Sequence, residues 1–462
     1  MARTVLSGLD DAPRWEMVAH SHRLFGTDGV RGRAGEQITP DLALRVGGAF
    51  AALLRQRSET PTVLLARDTR LSSPALAEAV GHALAGCGVR VLDLGIFPTG
   101  GLCLLVRARG VEGGVVVSAS HNPPESNGIK LVDRGGLKLP VEQQRGIEVL
   151  VRDGAFEPTV RADGVIAEDA SEEYLELVLE GLPPNCLDGM RVVLDCAHGS
   201  AWQLAPEAFE RAGAQVEAIN CDADGAHINV RCGSTTPQAM ADAVVRCAAD
   251  LGVAFDGDAD RAVFADHTGR VIDGDASKYV LAVDLQERGL LTPPVVVGTV
   301  MNNFGLERAL AARGISLLRT PVGDRYVVAV MRESGALLGG EQSGHIIFAS
   351  TLIGDGIYTA LRVCEVVART RRPLAELAAP VRKIPQLLVN VPARDRHAWE
   401  RCEEARSEIA RWERRLDGCG RVLVRPSGTE PLVRIMVEAE SDELAREACD
   451  TLAAIIRRAC GQ

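Results

Sequence analysis

The segment TVLLARDTRLSSPALAEAVGHALAGCGVRVLDLG, residues 62–95, contains an apolar β-branched run, a polar turn, a helical stretch and a second apolar run. The same order recurs at residues 191–220, RVVLDCAHGSAWQLAPEAFERAGAQVEAIN, and at residues 295–320, VVVGTVMNNFGLERALAARGISLLRT. Short strands that are apolar throughout are typical of parallel strands buried on both faces, and helical crossovers join such strands. The repeats therefore predict an α/β protein with three similar α/β domains and mixed sheets.

Residues 383–462 follow a different pattern. A charged helical stretch, AWERCEEARSEIARWERRL, precedes RVLVRPSGTEPLVRIMVEAE, in which apolar and polar residues alternate. This alternation is typical of an antiparallel pair with one face in solvent. The sequence DELAREACDTLAAIIRRAC then predicts a final helix, so this part is expected to be a smaller α+β domain.

Polar links near residues 165, 270 and 382 predict the domain boundaries. We expect α/β domains at residues 1–165, 166–270 and 271–382, followed by the α+β domain at residues 383–462. Residues 1–23 carry no strong pattern, and we interpret them as a loosely ordered extension.

Composition and charge restrict the class of protein. Hydrophobic residues make up 46% and charged residues 24% of the chain, which is typical of a globular protein. A net charge of −11 disfavours nucleic acid or an anionic membrane as a partner, although a local basic pocket could still bind phosphate. No run reaches the ~18 apolar residues of a membrane span, and the N-terminal residues lack the apolar segment of a signal peptide. The 12 cysteines are scattered without disulfide or zinc spacing, which predicts reduced thiols and a cytoplasmic location.

The segment LGVAFDGDADRAVF, residues 251–264, places aspartates at every second position, at Asp256, Asp258 and Asp260. Alternation in an extended segment puts the three carboxylates on one side, where a divalent cation would relieve their repulsion. An EF-hand is rejected because Arg261 and His267 stand where that loop needs glycine and glutamate. A polar turn is the alternative interpretation. A small octahedral ion such as Mg²⁺ would leave coordination positions for a phosphate oxygen, which favours phosphoryl transfer.

Three further loops have the composition of a binding site, and in each a simple polar turn is the alternative. RPSGTEP, residues 425–431, offers a guanidinium, two hydroxyls and a glycine amide to an anion. GGEQSGH, residues 339–345, could hydrogen-bond sugar hydroxyls. FGTDGVRG, residues 25–32, could direct Arg31 inward.

The segment VVVSASHNPPESNGIK, residues 115–130, ends an apolar run with Ser118, Ser120 and His121. It lacks the flanking glycines of a GxSxG nucleophile. Neighbours in an extended segment face opposite ways, so His121 is expected to be a poor direct base for Ser120. In isolation the segment is equally well interpreted as a strand end with a turn.

Taken together, SASHNP with NGIK, DGDADR, GEQSGH and RPSGTEP resemble, in the same order, the motifs of the α-D-phosphohexomutases. FGTDGVRG, VGDRY, GDGI and PQLLVNV look most like the bacterial phosphoglucosamine mutase branch of that family. The resemblance covers nearly the whole chain from about Leu24. It implies three similar α/β domains and a C-terminal domain around a central cleft.

The resemblance also implies roles for individual residues. Ser120 would be a phosphoserine that carries the transferred group and would hold one Mg²⁺ together with Asp256, Asp258 and Asp260. His121 and Lys130 would lie beside the transferring phosphate, with Lys130 and Arg31 assisting proton transfer and stabilising charge. The positions implied to bind substrate are Arg261, which also supports the metal loop, Glu341 and Ser343 for the sugar hydroxyls, and Arg425, Ser427, Gly428 and Thr429 for the non-reacting phosphate.

The reaction implied by the resemblance interconverts glucosamine 6-phosphate and glucosamine 1-phosphate through a sugar 1,6-bisphosphate, on the route to UDP-N-acetylglucosamine and peptidoglycan. The partner is then a small-molecule hexosamine phosphate, and the oligomeric state stays open, a homodimer included. A phosphomannomutase or phosphoglucomutase of the same superfamily and a non-catalytic sugar-phosphate sensor are the alternatives. Gln342, where hexose-preferring relatives have methionine, favours the amino sugar, and the intact Ser120, Lys130 and aspartates argue against the sensor.

A few positions depart from the pattern of that branch. Ala259 stands where glycine is usual in DGDADR, and FPTGG replaces a more typical PTP. The loops HNPPESNG and ASTLIGDG also differ. These departures bear on loop geometry and on substrate preference rather than on the carboxylates.

Overall fold

The computed structural model describes residues 24–26, 28–152, 163–427 and 431–461. These residues belong to two compact units: the larger is Phe25–Arg382, and the smaller contains Leu24 and the described residues from Lys383 onward. The extension interpreted at residues 1–23 lies outside the described residues. Within the described residues, no helix is both long enough and apolar enough to span a bilayer.

The first sheet of the larger unit is mixed and has six strands. Its elements are β1 Val30–Arg33, α1 Pro40–Arg55, β2 Thr62–Arg67, α2 Ser73–Gly86, β3 Arg90–Ile96, α3 Thr99–Arg109, β4 Gly113–Val117, β5 Ser126–Asp133, α4 Val141–Arg152 and β6 Val165–Ala167. The strand order is β1-β5-β4-β2-β3-β6. β5 is antiparallel to both of its neighbours, whereas β2 is parallel to β3 and β4.

The second sheet has five strands and is also mixed. Its elements are α5 Ser171–Leu179, β7 Arg191–Asp195, α6 Leu204–Arg211, β8 Gln215–Ile219, α7 Gln238–Cys247, β9 Leu251–Phe255, β10 Ala262–Asp266 and β11 Val271–Ile272. The order is β11-β10-β9-β7-β8, with β7 parallel to β8 and β9 and with β10 antiparallel to β9.

The third sheet has four strands. Its elements are α8 Gly274–Glu287, β12 Val295–Thr299, α9 Phe304–Ala311, β13 Ser316–Thr320, α10 Asp324–Ser334, β14 Leu338–Gly340, β15 Ile346–Phe348, α11 Gly356–Thr370 and α12 Leu374–Ala378. The order is β13-β12-β14-β15, and only the last pair is antiparallel.

The smaller unit carries a three-stranded antiparallel sheet. Its elements are β16 Gln386–Pro392, α13 Ala398–Arg401, α14 Glu403–Arg415, β17 Arg421–Pro426, β18 Leu432–Glu438 and α15 Asp442–Ala459. The predicted antiparallel pair is β17 with β18, and the predicted final helix is α15. A strand that the alternation did not reveal, β16, pairs with the other side of β18.

The predicted repeat is confirmed in all three α/β sheets. The units β2-α2-β3, β7-α6-β8 and β12-α9-β13 each join two parallel, adjacent strands through one helix. Burial of both sheet faces explains why the inner strands β2, β7 and β12 are largely apolar. The edge strands β8 and β13 are more exposed and carry polar residues. The fold class is therefore as expected, while the predicted domain boundaries and central cleft stay predictions.

Two strands of this framework determine the position of the candidate site. All five residues of β4 are buried, and so are all five residues of β9. Ser120 follows β4 after two residues, and Asp256 follows β9 directly. A rigid, buried strand therefore precedes each of the two loops that carry the predicted chemistry.

Candidate active site

Ser120 and the aspartate loop, which lie on different sheets, meet in the structure. The Ser120 hydroxyl donates a 2.6 Å hydrogen bond to Oδ2 of Asp256. Both residues are fully buried. The hydroxyl thus points directly into the cluster of carboxylates that the sequence predicts.

The three aspartates form a compact cluster. Asp256, Asp258 and Asp260 each offer one carboxylate oxygen, and these oxygens lie within 4.8 Å of one another. Oδ1 of Asp258 is buried and accepts no hydrogen bond from any described residue. Burial and the charges of Asp260 and Asp258 hold the pKa of Asp256 well above its ordinary value. An orphaned carboxylate oxygen among crowded like charges fits a hard divalent cation such as Mg²⁺.

The turn of the aspartate loop depends on one residue in a left-handed conformation. Ala259 has φ 57°, between Asp258 and Asp260. Glycine adopts this conformation without a steric penalty, whereas alanine pays roughly 1–2 kcal/mol. This left-handed conformation explains why glycine is the usual residue at this position. With alanine in its place, the three carboxylates still form one cluster.

His121 is closer to Ser120 than the sequence argument allowed. Nδ1 of His121 lies 3.2 Å from the hydroxyl oxygen of Ser120, so the expectation that the two side chains face apart is wrong. Ser120 has φ 53°, and this left-handed residue ends the extended geometry on which the expectation rested. Burial and the charges of Arg261 and Arg31 lower the pKa of His121 to about 4, so its imidazole is neutral at pH 7.

Arg70 organises the serine loop and was not predicted from the sequence. Its guanidinium is fully buried and donates to the carbonyl oxygens of Ser120, Asn122, Pro123 and Ser126. The available signal was the charged stretch RDTR, residues 67–70, at the end of the apolar strand β2.

The charge of Arg70 is balanced within its own loop. Nε of Arg70 donates to Oδ2 of Asp68 at 2.8 Å. The same carboxylate oxygen accepts a 2.6 Å bond from the hydroxyl of Ser118, which in turn accepts from the amide of Ser120. Ser118 is therefore part of the support for the loop.

Asn229 is a second contact that the sequence did not reveal. Its side-chain amide, from the segment between β8 and α7, donates to the carbonyl oxygens of Ser120 at 2.9 Å and of Asn122 at 3.1 Å. No motif marks this residue, because its role depends on how the second sheet packs against the serine loop.

Lys130 is embedded among carboxylates. Its Nζ donates to Oδ2 of Asp258 at 2.6 Å and lies 3.1 Å from Oδ2 of Asp28 and 3.6 Å from Oδ2 of Asp260. Burial lowers the pKa of Lys130, but these three carboxylates outweigh burial and raise it above the ordinary value. Lys130 is therefore a cation at neutral pH. Arg31 forms an ion pair with Asp28 and thus belongs to the same charge cluster.

The predicted sugar loop between β14 and β15 lies beside the aspartates. His345 Nδ1 is 3.5 Å from Oδ1 of Asp260, and Arg261 Nε is 3.7 Å from the same oxygen. Burial lowers the pKa of His345, but the neighbouring Asp260 carboxylate raises it to about 9. Glu341 accepts a hydrogen bond from the amide of Gly323, and the buried Ser343 hydroxyl has no hydrogen-bond partner among the described residues.

The predicted phosphate loop lies in the smaller unit. Arg425 is in β17, opposite Arg434 of β18, and burial together with the charge of Arg434 lowers its pKa. The amide of Ser427 donates to the carbonyl of Leu432. Gly428 and Thr429 lie outside the described residues. Two arginines thus flank the start of this loop.

Asp355 is a buried carboxyl of the larger unit and is not part of the predicted site. It caps α11 by accepting from the amide of Tyr358 at 2.9 Å, and it accepts from the hydroxyl of Tyr174 at 3.0 Å. Burial raises its pKa from 3.8 to about 6, against the lowering effect of these hydrogen bonds. The folded state therefore favours the protonated carboxyl. The contribution of this protonation to the free energy of unfolding is complete below about pH 4 and is lost as the pH rises through about 6.

We therefore expect Asp355→Asn to raise the free energy of unfolding at pH 8 by about 1–3 kcal/mol and to change it little at pH 4. The amide retains an acceptor for Tyr358 and Tyr174 and removes the buried charge. Denaturation midpoints at the two pH values measure the effect. Asp355→Ala, which loses both contacts, should lower stability at both. An asparagine variant less stable than the parent at pH 8 would contradict the assignment.

Four segments of the chain match the family described as phosphoglucomutase/phosphomannomutase. The matched parts are α/β/α domain I at residues 22–157, α/β/α domain II at residues 172–269, α/β/α domain III at residues 273–384 and the C-terminal domain at residues 388–455. The four segments follow the order of the family's domains.

Individual proteins and solved structures give the same result. A phosphoglucosamine mutase of Salinispora tropica is 46% identical, covering 95% of this chain and 99% of the relative. A crystal structure of a phosphoglucomutase/phosphomannomutase family protein from Burkholderia thailandensis is 27% identical, with a TM-score of 0.79 over 95% of this chain and 98% of that chain. The N-acetylphosphoglucosamine mutase of Aspergillus fumigatus, solved in complex with GlcNAc-6P and magnesium, shares the fold with 19% identity and a TM-score of 0.63 over 95% of this chain and 96% of that one.

Proposed function

Because this chain belongs to the phosphoglucomutase/phosphomannomutase family, we propose that it interconverts glucosamine 6-phosphate and glucosamine 1-phosphate through a sugar 1,6-bisphosphate. The chain is an isomerase of the mutase type, with phosphoglucosamine mutases among its relatives. The observation that carries the proposal is the Ser120 hydroxyl, which is hydrogen-bonded to Asp256 within a buried cluster of three carboxylates. We also propose the four-domain division at residues 165, 270 and 382 predicted from the sequence.

Ser120 is proposed as the phosphoserine, and Ser120, Asp256, Asp258 and Asp260 as the residues that would hold Mg²⁺. When bound, the ion supplies positive charge to neutralise the transferring phosphoryl group. The crowded carboxylates and the raised pKa of Asp256 support this assignment. A loose phosphoryl transition state needs positioning and charge compensation more than covalent assistance.

The remaining charges around Ser120 suit the transfer step. In the first half-reaction the Oγ–P bond of phosphoserine breaks while a bond forms from phosphorus to a sugar hydroxyl oxygen, and the proton of that hydroxyl is transferred, in net terms, to the serine oxygen. Lys130, which is protonated, would compensate negative charge on the phosphoryl oxygens and assist this proton transfer, giving its proton to the serine oxygen while the proton of the sugar hydroxyl replaces it. Arg31 would assist in the same cluster, and the neutral His121 would hydrogen-bond the group on Ser120.

The second half-reaction reverses these bonds at the other end of the sugar. The 1,6-bisphosphate turns within the site, its other phosphate is transferred back to Ser120, and the freed sugar oxygen takes up a proton. The site is thereby regenerated, so one cluster serves both ends of the sugar. An enzyme that loses the bisphosphate before it turns would need that compound as an activator.

Two further groups of residues are proposed to bind the substrate. Glu341 and Ser343 would hydrogen-bond the sugar hydroxyls, supported by the unpartnered Ser343 hydroxyl among the described residues and by the proximity of Arg261 to the same loop. The residues proposed to bind the non-reacting phosphate are Arg425, Ser427, Gly428 and Thr429. For Arg425, the position opposite Arg434 supports an anion site, because two arginines lie side by side on neighbouring strands there.

We propose that the protein is located in the cytoplasm and that its product is used in the synthesis of UDP-N-acetylglucosamine. All 12 cysteines are free thiols, which supports a reducing compartment. A homodimer stays a prediction.

Substrate preference tests this proposal. We expect kcat/KM for glucosamine 6-phosphate to exceed kcat/KM for glucose or mannose phosphates by at least about tenfold. Gln342→Met should lower this ratio. Phosphorus NMR of the 1-phosphate and 6-phosphate pools measures each reaction directly. Higher activity on glucose or mannose phosphate would favour the hexose-phosphate alternative. Binding of all three sugars without any turnover would favour the sensor.

A further inference from the structure

The carbonyl oxygen of Ser120 is contacted by groups from two sheets. Arg70, after β2, donates to it from Nη2 at 2.9 Å, and Asn229, between β8 and α7, donates from Nδ2 at 2.9 Å. Gly257, in the aspartate loop, approaches so closely that a Cβ at that position would lie 2.7 Å from the same oxygen. Rotation of the Ser120 carbonyl would therefore break two hydrogen bonds, and only a residue without a Cβ fits beside it at position 257.

The side chains of Arg70 and Asn229 also donate to the carbonyl of Asn122. Nη2 of Arg70 donates to the carbonyl of Asn122 at 2.7 Å, and Nδ2 of Asn229 donates to it at 3.1 Å. The backbone from Ser120 to Asn122 is thus fixed at both ends, with His121 between them. Ser120 keeps a left-handed φ of 53° within this segment. The hydroxyl that donates to Asp256 extends from this left-handed residue, so its direction depends on the conformation held here.

Arg70 and Asn229 differ in what they connect. Arg70 belongs to the same sheet as the serine loop and is also paired with Asp68. Asn229 belongs to the same part of the chain as the aspartates. Its backbone amide donates to the carbonyl of Ala197, the second residue after strand β7. β7 is the neighbour of β9, which leads to Asp256. The side chain of Asn229 therefore ties the serine loop to the sheet that carries the carboxylates.

We propose that Asn229 is a positioning residue for phosphoryl transfer: it holds the left-handed Ser120 backbone so that the serine oxygen stays aligned with the three aspartates. It acts through the backbone and does not contact the reacting atoms. The inference rests on the proposed function, because it assumes that Ser120 carries the phosphoryl group. It adds a residue that no motif of the serine, metal, sugar or phosphate loops includes.

Asn229→Gly tests the inference without adding strain. Asn229 itself has φ 60°, which glycine adopts freely, so a loss of rate would arise from the missing amide. We expect kcat to fall by about 10- to 100-fold with KM changed by less than about threefold, since misplacement of a reacting group by about 1 Å can reduce a rate 10²-fold. Phosphorylation of Ser120 by glucose 1,6-bisphosphate, followed by mass spectrometry, should slow by the same factor.

Asn220→Gly is the matched control. Asn220 is also left-handed, with φ 47°, but its amide donates to Oδ1 of Asp195 at 3.1 Å. This variant should keep kcat within about twofold of the parent. Asn229→Asp replaces the donor by an acceptor that faces two carbonyl oxygens, so it should be slower than Asn229→Gly.

The outcomes separate the inference from the proposed function. The inference is overturned if Asn229→Gly keeps the parental kcat or is slowed no more than Asn220→Gly. The proposed function survives that result as long as Ser120→Ala is inactive. An active Ser120→Ala enzyme overturns the proposed function itself. A slow Asn229→Gly enzyme with unchanged KM, together with a fast Asn220→Gly enzyme, supports the positioning role.

Discussion

Replacement of Ser120 by alanine should abolish mutase activity, with kcat reduced by at least about 10⁴-fold. The variant lacks the oxygen that would carry the phosphoryl group, and no other described hydroxyl donates to Asp256. The fold should persist, because Arg70 and Asn229 bind the backbone carbonyl of residue 120 and not its side chain. Turnover of glucosamine 6-phosphate and the intact mass after incubation with glucose 1,6-bisphosphate measure the effect.

Ser334→Ala is a suitable control for this change. The Ser334 hydroxyl donates to the carbonyl of Val330 at the end of α10 and takes no part in the candidate site. This variant should be active and should still accept one phosphoryl group. Retention of the parental rate by Ser120→Ala would exclude a phosphoserine at residue 120.

Asp256→Asn should have opposite effects on catalysis and on stability. We expect kcat to fall by about 10³-fold, because one ligand of the proposed Mg²⁺ site becomes neutral. In the presence of EDTA, however, the variant should unfold at the same temperature as the parent or higher. Burial and two neighbouring carboxylates raise the pKa of Asp256, so its ionised form is unfavourable in the folded protein.

Magnesium should distinguish the two proteins further. Because an ion that binds only the folded state stabilises it by RT ln(1 + [L]/Kd), Mg²⁺ should raise the thermal midpoint of the parent and not that of Asp256→Asn. Asp195→Asn is the control. Asp195 is equally buried but accepts from two backbone amides and from Asn220 and lies outside the proposed Mg²⁺ site, so its replacement should leave the Mg²⁺ response intact. A normal Mg²⁺ shift in Asp256→Asn would contradict the metal assignment.

The local parts of the site could be predicted from sequence, and the parts that depend on packing could not. The aspartates could be predicted because their spacing alone places three carboxylates together after a buried strand. The three repeats likewise predicted the α/β sheets. Arg70 and Asn229 contact Ser120 from sequence separations of 50 and 109 residues, so no local pattern contains their roles. His121 was misjudged because an extended backbone was assumed where the structure has a left-handed residue.

The hydrogen bond between Ser120 and Asp256 joins residues 136 positions apart in the chain. During synthesis the serine is therefore made well before the carboxylates that complete its surroundings. At a translation rate of roughly 5–20 residues per second, the ribosome needs about 7–27 s to span this interval. Under the proposed phosphoserine mechanism, a nascent chain lacks the carboxylate cluster during that time, so we expect it to acquire a phosphate by its own chemistry only after the second sheet is complete.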